Sequence, residues 1–513
     1  METGETTRPA HGSIVGVVGT GAMGQGIAQL MATAGHQVLI HDANPAAADS
    51  ARSQINGHLA RMVTKGKLRE DEQSAIASRI GIAATLEALA NCDVVIEAIV
   101  EDLSAKQALF AALEEIITND CILATNTSSL SVTKIAAQSK HPERVAGLHF
   151  FNPVPLMKVV EIIRGAHTTQ SVLDALDKLI AGTGHKAVQA KDNPGFIVNL
   201  GGRGYSTESI RILSEGIAQV QQVDEMLKEQ AGFKLGPFEL FDLTGLDVSL
   251  AASETIYNNF HHEPRVRPSF LMHQRRNGGL LGRKSGEGFY RYVDGTPQRA
   301  PKAEIPAAPP CPVWVGPGQV ELRDPVIQLL GRLDIQVEQT EHPSAAALCL
   351  VLPVGSDATT AILALELDPT RTLALETLFP LEKHRVLMTT PATAPAWRNA
   401  AASMLGKDGA NVTVINDSPG FASSRIVAHI VNIACDMAQQ NIAIPGDIDL
   451  AISLGLGYPH GPLAWGDRLG AQQILSVLEG LHECYRDPRY RPSPWLVRRA
   501  RLGLSLLSPE QMQ

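Results

Sequence analysis

The stretch SIVGVVGTGAMGQGIAQLMATAGHQVLIHDAN at 13–44 constrains the fold more than any other part of the chain. A short apolar run, SIVGVV, meets the glycine turn GTGAMG. GIAQLMATA then carries helical character as far as Gly35, and HQVLIHD returns as a second strand. Strand, glycine turn, helix and strand make the βαβ unit of a parallel sheet. Gly19, Gly21 and Gly24 have the GxGxxG spacing. The first permits a tight turn, the second lets a pyrophosphate approach the backbone, and the third lets helix and strand pack closely. Ala22 and Met23 complete the turn, and the helix behind it offers free N–H groups to phosphates. Asp42 ends the second strand, where an acid accepts bonds from ribose hydroxyls and repels a 2′-phosphate. No arginine follows it, so NAD is favoured over NADP. A glycine turn that merely packs is the plainer alternative.

Further strand-like runs at CDVVIEAIV (92–100), CILATNT (121–127) and RVAGLHFF (144–151) alternate with amphipathic helices. This predicts a doubly wound α/β NAD domain over 13–190, behind a loose tail at 1–12. From KDNPGF (191–196) the periodicity is helical, which marks 191–295 as a helical substrate or dimerisation domain. Six prolines in 296–312 make a linker. A second α/β-like region follows at 313–415 and a second helical region at 416–513. The two halves repeat at one offset of 225 residues: Pro194-Gly195-Phe196 recurs as Pro419-Gly420-Phe421, GPFELFDLTG as GPLAWGDRLG, and Asp224 as Asp449. Several matches at one spacing indicate tandem duplication. The expected fold class is a Rossmann-type α/β NAD domain, an all-α domain, and a degenerate second copy of both. In that copy GPGQVE (316–321) lacks the three-glycine spacing, and a rough alignment sets Thr390 against His149 and Ser424 against Asn199.

Composition narrows the function. A net charge of -9 argues against nucleic acid, whose binding leaves a basic footprint. The six cysteines are scattered, with no CxxC pair and no metal-ligand spacing, which suits reduced thiols in the cytoplasm and no metal. No apolar run approaches a membrane span, and METGETTRPAHGS has no apolar signal core.

Chemistry concentrates in GLHFFNPVPLMKVVEII at 147–163, where Glu161 sits inside an apolar run and His149 precedes it. A buried carboxylate is costly unless a charge or hydrogen bond meets it. Bonded to one imidazole nitrogen, Glu161 would fix the tautomer of His149 and leave the other nitrogen to take a hydroxyl proton. Oxidation of an alcohol by NAD requires such a base. A structural ion pair, or a histidine satisfied elsewhere, accounts for the same residues.

GTGAMG, EAIVEDLSAKQALF (97–110), NTSSL (126–130), GLHFFNPVPLMKVVEII, DNPGFIVN (192–199), GPFELFDLTGLD (236–247) and GRKSGEGFY (282–290) occur in one order. Together they resemble the L-3-hydroxyacyl-CoA dehydrogenase family over 13–292. The long, duplicated chain is similar to bacterial forms of that family, the 3-hydroxyadipyl-CoA dehydrogenases of phenylacetate degradation. The resemblance implies reversible NAD-dependent oxidation of a (3S)-3-hydroxyacyl-CoA, of adipyl or butyryl length, in fatty-acid or β-oxidation-type metabolism. It makes His149 the base, Glu161 its orienting acid, Ser128 the contact to the substrate hydroxyl and Asn199 the residue near the thioester. Glu101, Lys106, Asn152 and Lys284 match positions that line the cofactor. Lys65 and Lys67 lie where relatives hold the coenzyme A nucleotide. Without the resemblance, Ser128 is a turn residue, Asn199 a helix cap, and the lysines solvated charges.

One departure stands out. LGGRGYSTES (200–209) puts Leu200 where relatives have arginine, and three glycines inside the expected helix. Each costs roughly 0.5–1 kcal/mol relative to alanine, so a loosened or reshaped turn is expected after Asn199. A related dehydrogenase of a free hydroxy or sugar acid, and an NAD-binding scaffold without turnover, are the competing readings. The expected partners are an acyl-CoA and either a second copy or, within one chain, the second helical domain in a partner's place.

Overall fold

The computed structural model describes residues 12–302 and 304–510, so the expected tail lies, but for Gly12, outside the described residues. The chain forms two compact units. One runs to Asn199 and takes in 440–456, and the other holds 200–439 and 457–513.

The first unit begins β1 (Ile14–Val18), α1 (Ala22–Thr33), β2 (Gln37–His41), α2 (Pro45–Thr64), α3 (Glu70–Ser78) and β3 (Ile80–Ile82). It continues β4 (Val94–Glu97), α4 (Leu103–Glu114), β5 (Ile122–Thr125), α5 (Val132–Ala136), β6 (Val145–Phe150), β7 (Val159–Arg164), α6 (Gln170–Ala181) and β8 (Lys186–Lys191). The strands form one sheet in the order β3-β2-β1-β4-β5-β6-β7-β8. Only the β6–β7 step is antiparallel. Val17, Ile96, Leu148 and Ile162 pack on one face with Ile27 and Leu176, while Val18, Val95 and Leu123 pack on the other with Phe110. A sheet covered on both faces explains why its strands are continuous apolar runs.

Then follow α7 (Val198–Ser214), α8 (Val220–Glu229), α9 (Pro237–Thr244), α10 (Leu246–Asn259), α11 (Phe270–Asn277) and a hairpin, β9 (Arg291–Val293) with β10 (Thr296–Gln298). A second sheet region holds β11 (Val313–Val315), α12 (Val320–Arg332), β12 (Val337–Glu338), β13 (Leu348–Val351), α13 (Ala358–Ala364), β14 (Thr372–Leu375), β15 (His384–Met388), α14 (Pro395–Leu405) and β16 (Asn411–Ile415). The last helices are α15 (Ala422–Gln439), α16 (Pro445–Leu456), α17 (Pro462–Leu469), α18 (Ala471–Tyr485) and α19 (Pro494–Leu502). No helix among the described residues is long and apolar enough to cross a membrane.

Helix α16 departs from the expected division of 416–513 as one helical domain: it belongs to the first unit and packs on β7 and β8. The cause is the free edge of β8. Gln189 N donates to the Asp447 carboxylate at 3.1 Å and Lys191 N to Ile442 O at 2.8 Å. Alternate outward N–H groups of an edge strand thus find partners instead of inviting another chain.

In the second unit, buried acids tie the helices to the segment after them. Asp224 accepts from Phe238 N, Glu239 N and the Tyr290 hydroxyl, and Asp242 accepts from Phe289 N and Tyr290 N. Two of the quoted motifs, GPFELFDLTGLD and GRKSGEGFY, therefore meet as a structural clasp. The expected looseness at LGGRG is corrected, because α7 runs unbroken through it. A Cβ on Gly204 would stand 2.9 Å from Ile430 Cα, so α7 gives up side-chain volume to let α15 approach. Glu208 of α7 is fully buried between Arg425 and Arg489, at 2.5 and 3.3 Å, and accepts from the Tyr490 hydroxyl.

The second sheet has the order β12-β11-β13-β14-β15-β16, with only β14–β15 antiparallel. At the shared offset β6, β7 and β8 fall on β14, β15 and β16. The register across that step differs by two residues: Ala374, at the offset from His149, pairs with Met388 and not with Val386, the residue at the offset from Glu161. Thr390, expected against His149, lies beyond β15 and not on the strand in the place of β6. The correspondence of Asn199 with Ser424 has a structural echo: Ser424 N and Oγ donate to Glu376 Oε1 at 3.2 and 2.6 Å.

Burial pushes the Glu376 carboxyl up to about 7 against the opposing bonds from Ser424. A carboxyl raised above its unfolded value contributes stability that is complete below about 4.5 and lost as pH rises through about 7. Glu376→Gln should flatten that part of the pH dependence, giving denaturant midpoints closer together at mildly acidic and mildly alkaline pH than in the wild type. Parallel curves for the two proteins would contradict this.

Candidate active site

Strand register brings the two central residues together. His149 lies opposite Glu161 across the antiparallel β6–β7 pair, on the same face of the sheet. Nδ1 of His149 is 2.6 Å from Glu161 Oε2, and both side chains are buried. The other carboxylate oxygen, Oε1, accepts from Ile197 N at 2.8 Å and Val198 N at 2.9 Å, at the start of α7. Two amide donors and a helix N-terminus hold negative charge on Glu161. An ionised carboxylate only accepts, so Nδ1 carries the proton and Nε2 is left as the basic nitrogen. Phe151 and Phe196 flank the imidazole with ring centroids at 4.4 and 5.6 Å. Phe150 N donates to Asn126 Oδ1 at 2.8 Å, which ties the end of β6 to the NTSSL segment.

Ser128, in that segment, is exposed and anchored from below. Glu101 Oε1 accepts from Thr127 Oγ1, Ser128 N, Ser129 N and Ser129 Oγ, all within 3.0 Å. Burial works against the Glu101 charge, but these bonds and the Lys106 ammonium outweigh it and hold the carboxyl below its usual range. Lys106 is itself buried, 2.6 Å from Glu97 and 3.3 Å from Glu101. Thr125 Oγ1 and Ile99 N complete the Glu97 carboxylate. The structure thus places Lys106 beneath the surface, against Glu97 and Glu101, and not on an open cofactor-facing wall.

At the glycine turn, Gly19 has a positive φ of 96° and a Cβ there would meet Ala98 O at 2.5 Å. A Cβ on Gly24 would overlap Gly19 O, whereas one on Gly21 would meet nothing within 4 Å. The first and third glycines thus serve packing, and the second leaves open space at the N-cap of α1, where Ala22 and Met23 begin the helix. That is the cradle a pyrophosphate needs. Asp42 accepts from Thr20 N, Thr20 Oγ1 and Asn44 N at 2.8–3.0 Å. Partial burial raises its pKa, and these bonds more than reverse that, so it stays ionised at the end of β2. The turn and the acid together fit a dinucleotide.

The remaining expected residues are more dispersed. Asn152 is exposed just beyond β6, and Asn199 is the second residue of α7. Lys65 caps the C-terminus of α2, and Lys67 follows in the exposed turn before α3. Lys284 belongs to the second unit and pairs with Asp247 there. Sequence reasoning did not single out Glu97, Thr127, Ser129, Thr20 or Asn126. All five sat inside quoted motifs, and an acid in the apolar run VVIE carried the same signal as Glu161 in VVEII.

The model of the 3-hydroxyacyl-CoA dehydrogenase NAD-binding domain matches residues 14–193, and that of the 3-hydroxyacyl-CoA dehydrogenase C-terminal domain matches 195–292 and again 420–506. The chain is 38% identical over 488 residues to 3-hydroxyadipyl-CoA dehydrogenase of Escherichia coli (strain K12), covering 95% of this chain and 97% of that protein. It is 41% identical to a probable 3-hydroxybutyryl-CoA dehydrogenase of Bacillus subtilis (strain 168), over 55% of this chain and 97% of that one. A crystal structure of 3-hydroxybutyryl-CoA dehydrogenase from Escherichia coli K12 superposes with a TM-score of 0.84 at 36% identity, covering 96% of this chain and 99% of that chain.

The buried ion pair beneath Ser128 yields a direct expectation. Lys106→Met leaves Glu97 buried without its cation and should lower stability by about 3–5 kcal/mol in denaturant unfolding. A loss under about 1 kcal/mol, the size of an exposed pair, would contradict the burial argument.

Proposed function

The chain belongs to the 3-hydroxyacyl-CoA dehydrogenase family, NAD-dependent oxidoreductases acting on a CH–OH group, and we propose that His149 is its general base with Glu161 as the orienting acid. The observation that carries the proposal is the 2.6 Å contact between His149 Nδ1 and Glu161 Oε2, with Glu161 fixed from behind by two backbone amides. Nε2 of His149 takes the proton of the substrate's C3 hydroxyl. NAD, when bound at the 19–24 turn with its ribose at Asp42, supplies the hydride acceptor. As the imidazole becomes imidazolium, the Glu161 carboxylate beside it offsets the new charge. Ser128, held by Glu101, donates to the substrate oxygen, and Asn199 holds the thioester end. Asn152 lines the cofactor side, while Lys65 and Lys67 meet the coenzyme A phosphates. In the reverse direction His149 returns the proton to the 3-oxo group.

For the acyl chain, full-length similarity to an E. coli protein named 3-hydroxyadipyl-CoA dehydrogenase favours an adipyl substrate, with 3-hydroxybutyryl-CoA as the shorter alternative. The second half is a degenerate copy that has kept a scaffold role. The C-terminal-domain model matches both helical regions, and the two sheets share their single antiparallel step in equivalent places. Within the second unit, Arg267 pairs with Asp487 at 2.6 Å and Arg491 with Glu263 at 3.8 Å. EPRVRPS (263–269) recurs as DPRYRPS (487–493), one residue short of the common offset, and reciprocal pairs between such repeated segments are the mark of an isologous interface, here made inside one chain. The six free cysteines suit a reducing cytoplasm.

The test is NADH oxidation with acetoacetyl-CoA. His149→Ala should lower kcat by about 10²–10⁴-fold, the usual contribution of a positioned acid–base residue, while NADH binding is retained. Equal turnover in both proteins would overturn the proposal.

A further inference from the structure

The second unit holds a cleft of about 580 Å³. None of the residues assigned above to proton or hydride transfer lines it. Its walls are α12, the 377–382 segment beyond β14, the last residues of α8 region near Gln230, and α17 with the turn before it. The volume lies within the roughly 300–1,000 Å³ of small-molecule sites.

The chemistry of the walls is one-sided. Arg332, in the last turn of α12, and Arg468, in α17, supply two guanidinium groups, against the single carboxylate of Glu382. Among the described residues neither arginine lies within ion-pair distance of a carboxylate, so an arriving anion displaces no internal carboxylate. Arg468 instead meets His460 Nε2 at 3.2 Å. A guanidinium only donates, so that ring nitrogen accepts, the ring is neutral, and its proton sits on Nδ1. Burial and the neighbouring Arg468 charge both hold His460 below its usual range, in keeping with that tautomer. Trp465 is buried edge-on to His460 with centroids 5.6 Å apart, and with Phe379 it gives the cleft an apolar floor. Thr377 Oγ1, on the walling segment, is buried with no hydrogen-bond partner among the described residues.

We propose that this cleft is a second ligand site, for a small carboxylic acid with an apolar body, its carboxylate held by Arg468 and Arg332 and its body against Trp465. Two guanidinium groups against one carboxylate leave a single net positive charge, which matches a monocarboxylate better than a phosphate dianion. The planar fork of arginine suits a carboxylate's two oxygens. A ligand held by α12 and α17 at once would join the second sheet region to the last helices and stabilise the unit that contains both.

Isothermal titration calorimetry on the full chain saturated with NAD tests this, with 3-phenylpropionate as the probe and its neutral amide as the control. The expected result is saturable one-site binding of the acid and none of the amide. Arg468→Ala and Arg332→Ala should each weaken binding roughly tenfold or more, the loss expected for a charge-assisted bond. Arg468→Lys should recover part of it, and His149→Ala should change nothing. Absence of saturable binding to the wild type, equal binding by the arginine variants, or displacement of the acid by acetoacetyl-CoA would each overturn the proposal. The readout needs no turnover, so its failure and that of the dehydrogenase mechanism are separable.

Discussion

The carboxylate of Glu161 is the constraint on which the first unit's chemistry depends. It sits in the interior of a sheet strand, where an unpaired charge is untenable. Its two oxygens resolve that problem in opposite directions, one toward His149 Nδ1 and one toward the amides of Ile197 and Val198. The antiparallel step between β6 and β7 sets the histidine directly opposite the acid. The turn at Pro194-Gly195-Phe196 then aims the first amides of α7 at the acid from behind. Loss of any one of these three, the register, the turn or the helix start, would leave a buried charge and an unoriented imidazole.

The second unit also sets a buried acid beside the start of a helix. Its own Pro419-Gly420-Phe421 turn starts α15, and Ser424 near that start donates to a fully buried glutamate. That acid is Glu376, just beyond β14, and its own N–H donates to Val386 O on β15. Only one of its oxygens is satisfied, since Glu376 Oε2 has no partner among the described residues. Among the described residues no histidine hydrogen-bonds to it, and burial drives the carboxyl up to about 7.

Much of this was legible in the chain. GTGAMG between an apolar run and a helix marked the opening βαβ unit: Gly19 and Gly24 have no room for a Cβ, and Gly21 leaves the N-cap of α1 open. The acid in VVEII raised the question of a partner, and His149, shortly before it in sequence, was the candidate. What stayed hidden depends on tertiary contact. Nothing local says that Gly204 is needed for the approach of Ile430, so interior glycines looked like damage to α7. Nothing local sends α16 to the edge of β8, since the demand comes from the N–H groups of Gln189 and Lys191, far away in sequence. Lys106 looked like a surface cation because its two acids, Glu97 and Glu101, meet it only once β4 and α4 are packed. Thr390 was set against His149 because short matches in sequence do not reveal strand register.

The central claim is that His149 and Glu161 act as one unit, and a double-mutant cycle on kcat measures it most directly. His149→Ala, Glu161→Gln and the double variant would be assayed for NADH oxidation with acetoacetyl-CoA, with folding checked by circular dichroism. An acid that works only through its histidine has nothing left to orient once the imidazole is gone. The double variant should therefore be no slower than His149→Ala alone. Losses that multiply across the two substitutions would show that Glu161 and His149 contribute independently, and would contradict the couple.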